Sequence, residues 1–215
     1  MAAPPSDDVR RMAVPAAGLF LLIIGIAAGW LLASWRAAPG DDSAEAGFAR
    51  DMATHHAQAV DMSFTILDKS ADGELRTLAS DIIVTQSTQR GLFMGWLQQW
   101  RLPQTSTLPR MAWMPGHAHL PGDDGGVLMH GMATEAELQR LRDANGVDAE
   151  VLFLQLMIKH HEGGVLMARA LLEQTDRREL TQMARSIEDG QRVEIEQMRT
   201  MLSARGAQPL ASLLD

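Results

Sequence analysis

From residue 44 onward, apolar positions recur at helical spacing in four long stretches. Counting about 100° per residue from Met52, the residues Phe48, His55, His56, Ala59 and Met62 fall within about 120° of arc, and Asp61 points away. A second stripe runs through Leu75, Leu78, Ala79, Ile82, Phe93, Trp96, Leu97 and Trp100 and encloses Gln86 and Gln89. The third carries Phe153, Met157, His160, His161, Val165 and Met167. The fourth carries Leu180, Met183, Ala184, Ile187, Met198, Met201 and Leu202, with Gln191 and Glu194 inside it. Asp72 and Gly73 mark the first turn, Pro103 follows the second helix, and Gly206 and Pro209 end the last. Asp176 to Glu179 reads as a capping box opening the fourth helix, and Asp148 is expected to start the third. Residues 102–133 hold several prolines and glycines, after which Thr134 with Glu137 caps a short helix that stops near Asn145 and Gly146. With no strand alternation of any length, the pattern predicts an all-α, antiparallel four-helix bundle of two hairpins joined by a long crossover.

The two hairpins are one unit used twice. Shifted by 105 positions, Phe48, Met52, His55, His56, Val60, Met62 and Leu67 fall on Phe153, Met157, His160, His161, Val165, Met167 and Leu172. The register continues without a gap, from Glu74, Leu75, Ala79, Ile82, Gln86 and Leu97 to Glu179, Leu180, Ala184, Ile187, Gln191 and Leu202.

Ahead of the bundle, no charged residue occurs from Met12 to Ser34. A helix of that length measures about 35 Å, enough for a hydrocarbon core of about 30 Å. Arg10 and Arg11 precede it, while Asp41, Asp42 and Glu45 follow soon after Arg36, which leaves the amino terminus cytoplasmic and the rest outside. The expected organisation is a cytoplasmic tail (1–11), a transmembrane anchor (12–35), a linker (36–43), the bundle (44–205) and a tail (206–215). Within the bundle, repeat one covers 44–102, the crossover 103–134 and repeat two 135–205. A cleaved signal peptide, with Ala33 and Ser34 as small residues, is the alternative; it leaves a secreted or periplasmic protein, so export is expected on either reading.

Composition then narrows the chemistry. There is no cysteine, which excludes thiolate metal sites, iron-sulfur clusters, disulfides and cysteine nucleophiles. Of 14 methionines, 12 lie beyond residue 40, so soft-metal chemistry falls to Met and His. A net charge of -8 without a basic run argues against nucleic acid. No Glu is followed by His three residues later, as di-iron bundles require. The run from His160 to Gly164 lacks the second His of a zinc protease helix. Glu162 is expected at the solvated side of the stripe, and Gly163 and Gly164 allow close packing.

Counting residues from each turn places Gln86 level with His55 and His56, and Gln191 level with His160 and His161. Met52 and Met157 then lie near the levels of Gln89 and Glu194. A buried imidazole needs partners for both nitrogens, and a metal on one with an amide oxygen on the other satisfies it. Thioether sulfur favours Cu(I), so the mixture of inward Met and His points to copper before zinc or iron. The competing reading is a structural polar layer in which Gln86 and Gln191 bond the histidines across the bundle. In the crossover, Met111, Met114, His117, His119, Met129, His130 and Met132 form a second candidate, a solvated loop able to gather a metal ion. Trp96, Trp100 and Trp113 are expected to pack in the core or at its rim.

The segments FARDMATHHAQAVDMS, FLQLMIKHHEGGVLMA and MHGMATEAELQRLRDANG resemble the bacterial family labelled domain of unknown function 305, over about residues 44–204. The resemblance implies a ferritin-like four-helix bundle, usually exported, with some members associated with copper binding and resistance. It assigns the shared motif positions to Met52, His55, His56 and Met62 and to Met157, His160, His161 and Met167. Glu194 and Met198 match the closing helix of the family, whereas the first unit has Gln89 and Phe93 where an acid and a methionine are expected. The leading expectation is therefore a membrane-anchored, extracytoplasmic protein that sequesters or hands on Cu(I) without catalysis. A structural or interaction bundle, forming homo-oligomers or attached to a membrane complex, is the second reading, and a copper-dependent oxidase the third.

Overall fold

The computed structural model describes residues 19–30, 37–116, 120–121 and 127–214. Residues 19–30 form a helix, α1, in the amino-terminal part of the chain, which separates from the remainder between residues 38 and 39. At about 1.5 Å per residue α1 is about 18 Å long. Among the described residues no helix is long and apolar enough to cross a membrane, and the rest of the uncharged run expected to span lies outside them.

The remainder is the helical bundle. Its elements are α2 (Ala44–Lys69), α3 (Gly73–Gln99), the short α4 (Glu135–Asp143), α5 (Gly146–Leu172) and α6 (Arg178–Ala204). In the crossover β1 (Leu120–Pro121) pairs antiparallel with β2 (Val127–Leu128). Local chemistry sets several boundaries. Ser43 Oγ accepts from Ala46 N at 3.2 Å to open α2, and Asp72 Oδ1 accepts from Leu75 N at 2.8 Å to open α3. Thr134 and Glu137 form the expected capping box of α4. Two expected starts differ. Helix α5 begins at Gly146, ahead of Asp148, and α6 has Arg177 as its N-cap with no side-chain bond, so the Asp176 box does not form. Thr175 holds that turn instead: its hydroxyl donates to Glu45 Oε1 at 2.8 Å and accepts from Arg177 N at 3.3 Å.

The repeat becomes a pseudo-twofold relation in space. Each unit is a helical hairpin, α2 with α3 and α5 with α6, and α2 crosses α5 at the centre. Met52 and Met167 share one apolar cluster, Met62 and Met157 the other, so α2 and α5 run antiparallel and the twofold exchanges the two clusters. The ends are closed by equivalent bonds. Glu45 meets Thr175 at one, and at the other Ser70 Oγ donates to Glu150 Oε1 at 2.5 Å while Arg205 Nε donates to Glu150 Oε2 at 2.8 Å.

Among its described residues, the crossover packs against the bundle at Met111, Trp113, Met129 and Ala133, where a solvated loop was expected. Asp51 Oδ2 accepts from Met111 N at 2.8 Å and from Trp113 Nε1 at 2.9 Å, and Met111 and Met129 are buried in the cluster that holds Met52. Trp100 and Trp113 join the same cluster, with Trp96 partly buried against it. Gln58 fixes the far end, its amide donating to Ala133 O at 2.9 Å and accepting from Ala133 N at 2.8 Å. Gly131, at φ 76°, and Gly163 permit the contact: a Cβ on Gly163 would overlap the His130 carbonyl.

Residues beyond α6 also return to the bundle. Gln208 O accepts from Gln155 Nε2 at 2.7 Å, and Glu162 receives Leu213 N at 2.8 Å, Ser212 Oγ at 3.2 Å and Arg199 Nη2 at 3.2 Å. Glu162 is therefore buried at 1% exposure, not solvated, because its charge is met by a guanidinium and two hydrogen-bond donors.

Candidate metal centre

His55 and His56 sit on α2 between Met52 and Met62, and His160 and His161 on α5 between Met157 and Met167. All eight side chains have 0% exposure. The four imidazoles thus form a layer that separates the two apolar clusters.

Every ring of the layer uses Nε2 in the same way. His55 Nε2 lies 3.1 Å from His130 O, His160 Nε2 3.1 Å from His55 O, His56 Nε2 2.7 Å from Gln89 Oε1, and His161 Nε2 2.6 Å from Glu194 Oε2. Each partner atom is an acceptor, so each Nε2 carries the proton and donates. Burial pushes the His55 and His56 imidazoles down to about 3, with repulsion from His56 adding to the effect at His55. Burial likewise holds His160 well below the ordinary range, with repulsion from His55 next in size. These three rings are neutral at physiological pH, and Nδ1 is left as a bare lone pair.

All four Nδ1 atoms are buried and have no hydrogen-bond partner among the described residues. A buried acceptor left in this way costs roughly 1–3 kcal/mol, and four in one layer call for a common explanation. The expected amide partners do not supply it. Gln86 and Gln191 are buried, yet their own amides also find no partner among the described residues. It is Gln89 and Glu194, almost a turn further along, that meet the histidines. The offset follows from helix geometry: each Cβ leans toward the amino terminus of its helix, so on antiparallel neighbours a side chain on the second helix reaches back toward the turn.

Among the described residues no three His, Asp or Glu side chains come together to hold a metal ion. A metal ion held in this layer would therefore need sulfur as well as imidazole. Met52 and Met157 precede His56 and His161 by one helical turn on the same face. Imidazole with thioether, and no hard oxygen cage, suits a soft monovalent ion. The donors present fit copper in its lower oxidation state.

The other candidates separate clearly. Met111 and Met129 are core residues, at 1% and 0% exposure, and Met114, Met132 and His130 are half-buried beside them. His117 and His119 lie outside the described residues. Sequence reasoning passed over Asp51, Gln58 and the backbone of His130, which together seat the crossover on the histidine layer. The glycine pair after His-His-Glu was the available signal, since two adjacent glycines inside a helix mark a close approach.

The family described as Domain of unknown function (DUF305) matches residues 45–202. A DUF305 protein of Streptomyces coelicolor, provisionally described as secreted, is 44% identical with a TM-score of 0.73, covering 80% of this chain and 99% of its own. A DUF305 fragment of Deinococcus radiodurans is 35% identical with a TM-score of 0.62, covering 75% and 96%. CopM in its Cu(I)-bound form is 26% identical with a TM-score of 0.58, again covering 75% and 96%. Cu(II)-bound and Ag-bound forms of CopM match as well. Among curated proteins no match is found. With the family matched across the whole bundle, and with its doubled Met-x-x-His-His motif realised as one buried layer, the chain belongs to the DUF305 family.

Proposed function

We propose that this protein is an exported copper-binding protein that holds Cu(I) at the histidine layer and sequesters it or passes it on without catalysis. The observation that carries the reading is the set of four buried Nδ1 atoms without partners among the described residues, each on a ring whose other nitrogen is already fixed. Imidazole Nδ1 and the thioethers of Met52 and Met157, with Met62 and Met167 beyond them, are the atoms that would hold the ion. Copper-bound structures of CopM, at 26% and 30% identity, support this choice of metal. The absence of any exposure at the eight ligand candidates supports storage or transfer over turnover, because a substrate has no open approach to them. The uncharged run from Met12 to Ser34 supports an anchor that keeps the bundle outside the membrane.

The test uses full-length protein in anaerobic, reducing buffer against a competing Cu(I) chelator. The parent is expected to retain Cu(I) and to gain thermal stability from it, since a ligand that prefers the native state stabilises by mass action. His56→Ala with His161→Ala should lose both effects. No retention by the parent, or a larger thermal shift with Zn(II) than with Cu(I), would overturn the reading. Fractionation tests the anchor: intact chain recovered from the cytosol ends the claim of export.

A further inference from the structure

The two halves of the layer share a backbone plan but not their chemistry. In the second half His161 donates to the Glu194 carboxylate at 2.6 Å. In the first, His56 donates to the neutral amide of Gln89 at 2.7 Å. One turn from each pair the difference recurs. Met157 lies four residues before His161 on α5, and Met198 four residues after Glu194 on the antiparallel α6, so the two thioethers stand at one level in the same cluster. At the matching level of the first half, Met52 faces Phe93. The Phe93 ring lies 5.7 Å from His56, and Phe48 packs edge-on to it at 5.6 Å.

Both differences act in one direction. A phenyl ring offers no lone pair where Met198 offers sulfur. A carboxylate on the far nitrogen makes an imidazole a stronger donor and supplies a negative charge close to a bound cation, and with Glu194 only 21% exposed that attraction is partly shielded from solvent screening. An amide supplies neither. We infer that the halves are unequal Cu(I) sites: the second half, with His161, Met157, Met198 and Glu194 behind the ring, takes the first ion, and the first half binds weakly. The inference rests on the copper reading and adds to it the order and stoichiometry of loading.

Chelator competition on the full-length protein reads this out. The expected parent isotherm shows one tightly held equivalent per chain, with any second equivalent at least tenfold weaker. Met198→Leu, which preserves volume and apolarity, should weaken the tight equivalent at least tenfold, and Glu194→Gln should do the same. Met52→Leu should weaken only the second, weaker equivalent. In the gain-of-function direction, Phe93→Met combined with Gln89→Glu should create a second tight equivalent. Two equal equivalents in the parent would overturn the inference and leave the copper reading standing. So would loss of the first equivalent on Met52→Leu, or on Met111→Leu with Met129→Leu, which bring sulfur to the opposite end. A parent that holds no Cu(I) sinks the copper reading itself, and is told apart from those outcomes by the missing first equivalent.

Discussion

His55 and His160 lie ring against ring at the centre of the bundle, their centroids 3.7 Å apart and their planes 33° from parallel. They are equivalent residues of the two repeats, so the stack marks the pseudo-twofold. Two imidazoles at this distance cannot both be charged at acceptable cost in a dry interior.

This fixes the acid response of the metal-free protein. His55 and His56 titrate near 3 in the native state, and His160 also lies far below its ordinary value of 6.5. Between these limits the unfolded chain binds protons that the native chain refuses, so stability rises with pH there and is lost as pH falls through the window. The urea midpoint should drop from pH 7.5 to pH 4.5. A flat profile would mean that the native layer accepts protons.

Gly163 supplies a packing test. Its Cβ would overlap the backbone of His130, which cannot move without losing the bond to His55, so Gly163→Ala should cost about 1–3 kcal/mol. Gly190 in α6 has open space around its Cβ position, and there Ala should stabilise by about 0.5–1 kcal/mol through helix propensity. Chemical unfolding of the two variants should move in opposite directions.

Burial of the crossover methionines separates packing from ligation. Met111→Ala and Met129→Ala each remove a side chain that is 1% or 0% exposed, at an expected cost of about 2–5 kcal/mol. Leucine at either position should cost less than about 1.5 kcal/mol. Thermal unfolding without metal checks both, and equal stability of the alanine and leucine forms would contradict the observed packing.

The carboxyl-terminal segment clasps Glu162. Truncation after residue 206 removes Leu213 N and Ser212 Oγ from a buried carboxylate and leaves Arg199 alone to meet it. A loss of about 1–3 kcal/mol is expected. Glu162→Gln in the truncated chain should restore part of it, since an amide is cheaper to leave buried than a charge. Unfolding midpoints of the three proteins measure the difference.

What the sequence made legible was set by periodicity. The four long helices, the capping box at Thr134, the inward His and Met positions and the doubled unit all follow from local spacing. The repeat held more than was taken from it, because the same shift of 105 relates Glu45 to Glu150 and Ser70 to Thr175, the pairs that close the two ends. Counting from turns failed by most of a helical turn, since it places Cα atoms and ignores the lean of each side chain. The seating of the crossover and the burial of Glu162 were not legible, because each depends on partners about 50 to 75 residues away that carry no periodic mark. Glu162 looked like a solvated charge for that reason.

The layer lies between two apolar clusters, each closed at its outer end by a hydroxyl-carboxylate bond. Along the bundle axis, an ion bound for the centre would have to cross one of these clusters. The Born cost of entering a low-dielectric medium grows with the square of the charge, so a divalent ion faces about four times the barrier of a monovalent one of the same size. Under the copper reading proposed above, an ion entering along that axis is thus sorted by charge before any ligand is met, with the apolar clusters as the filter.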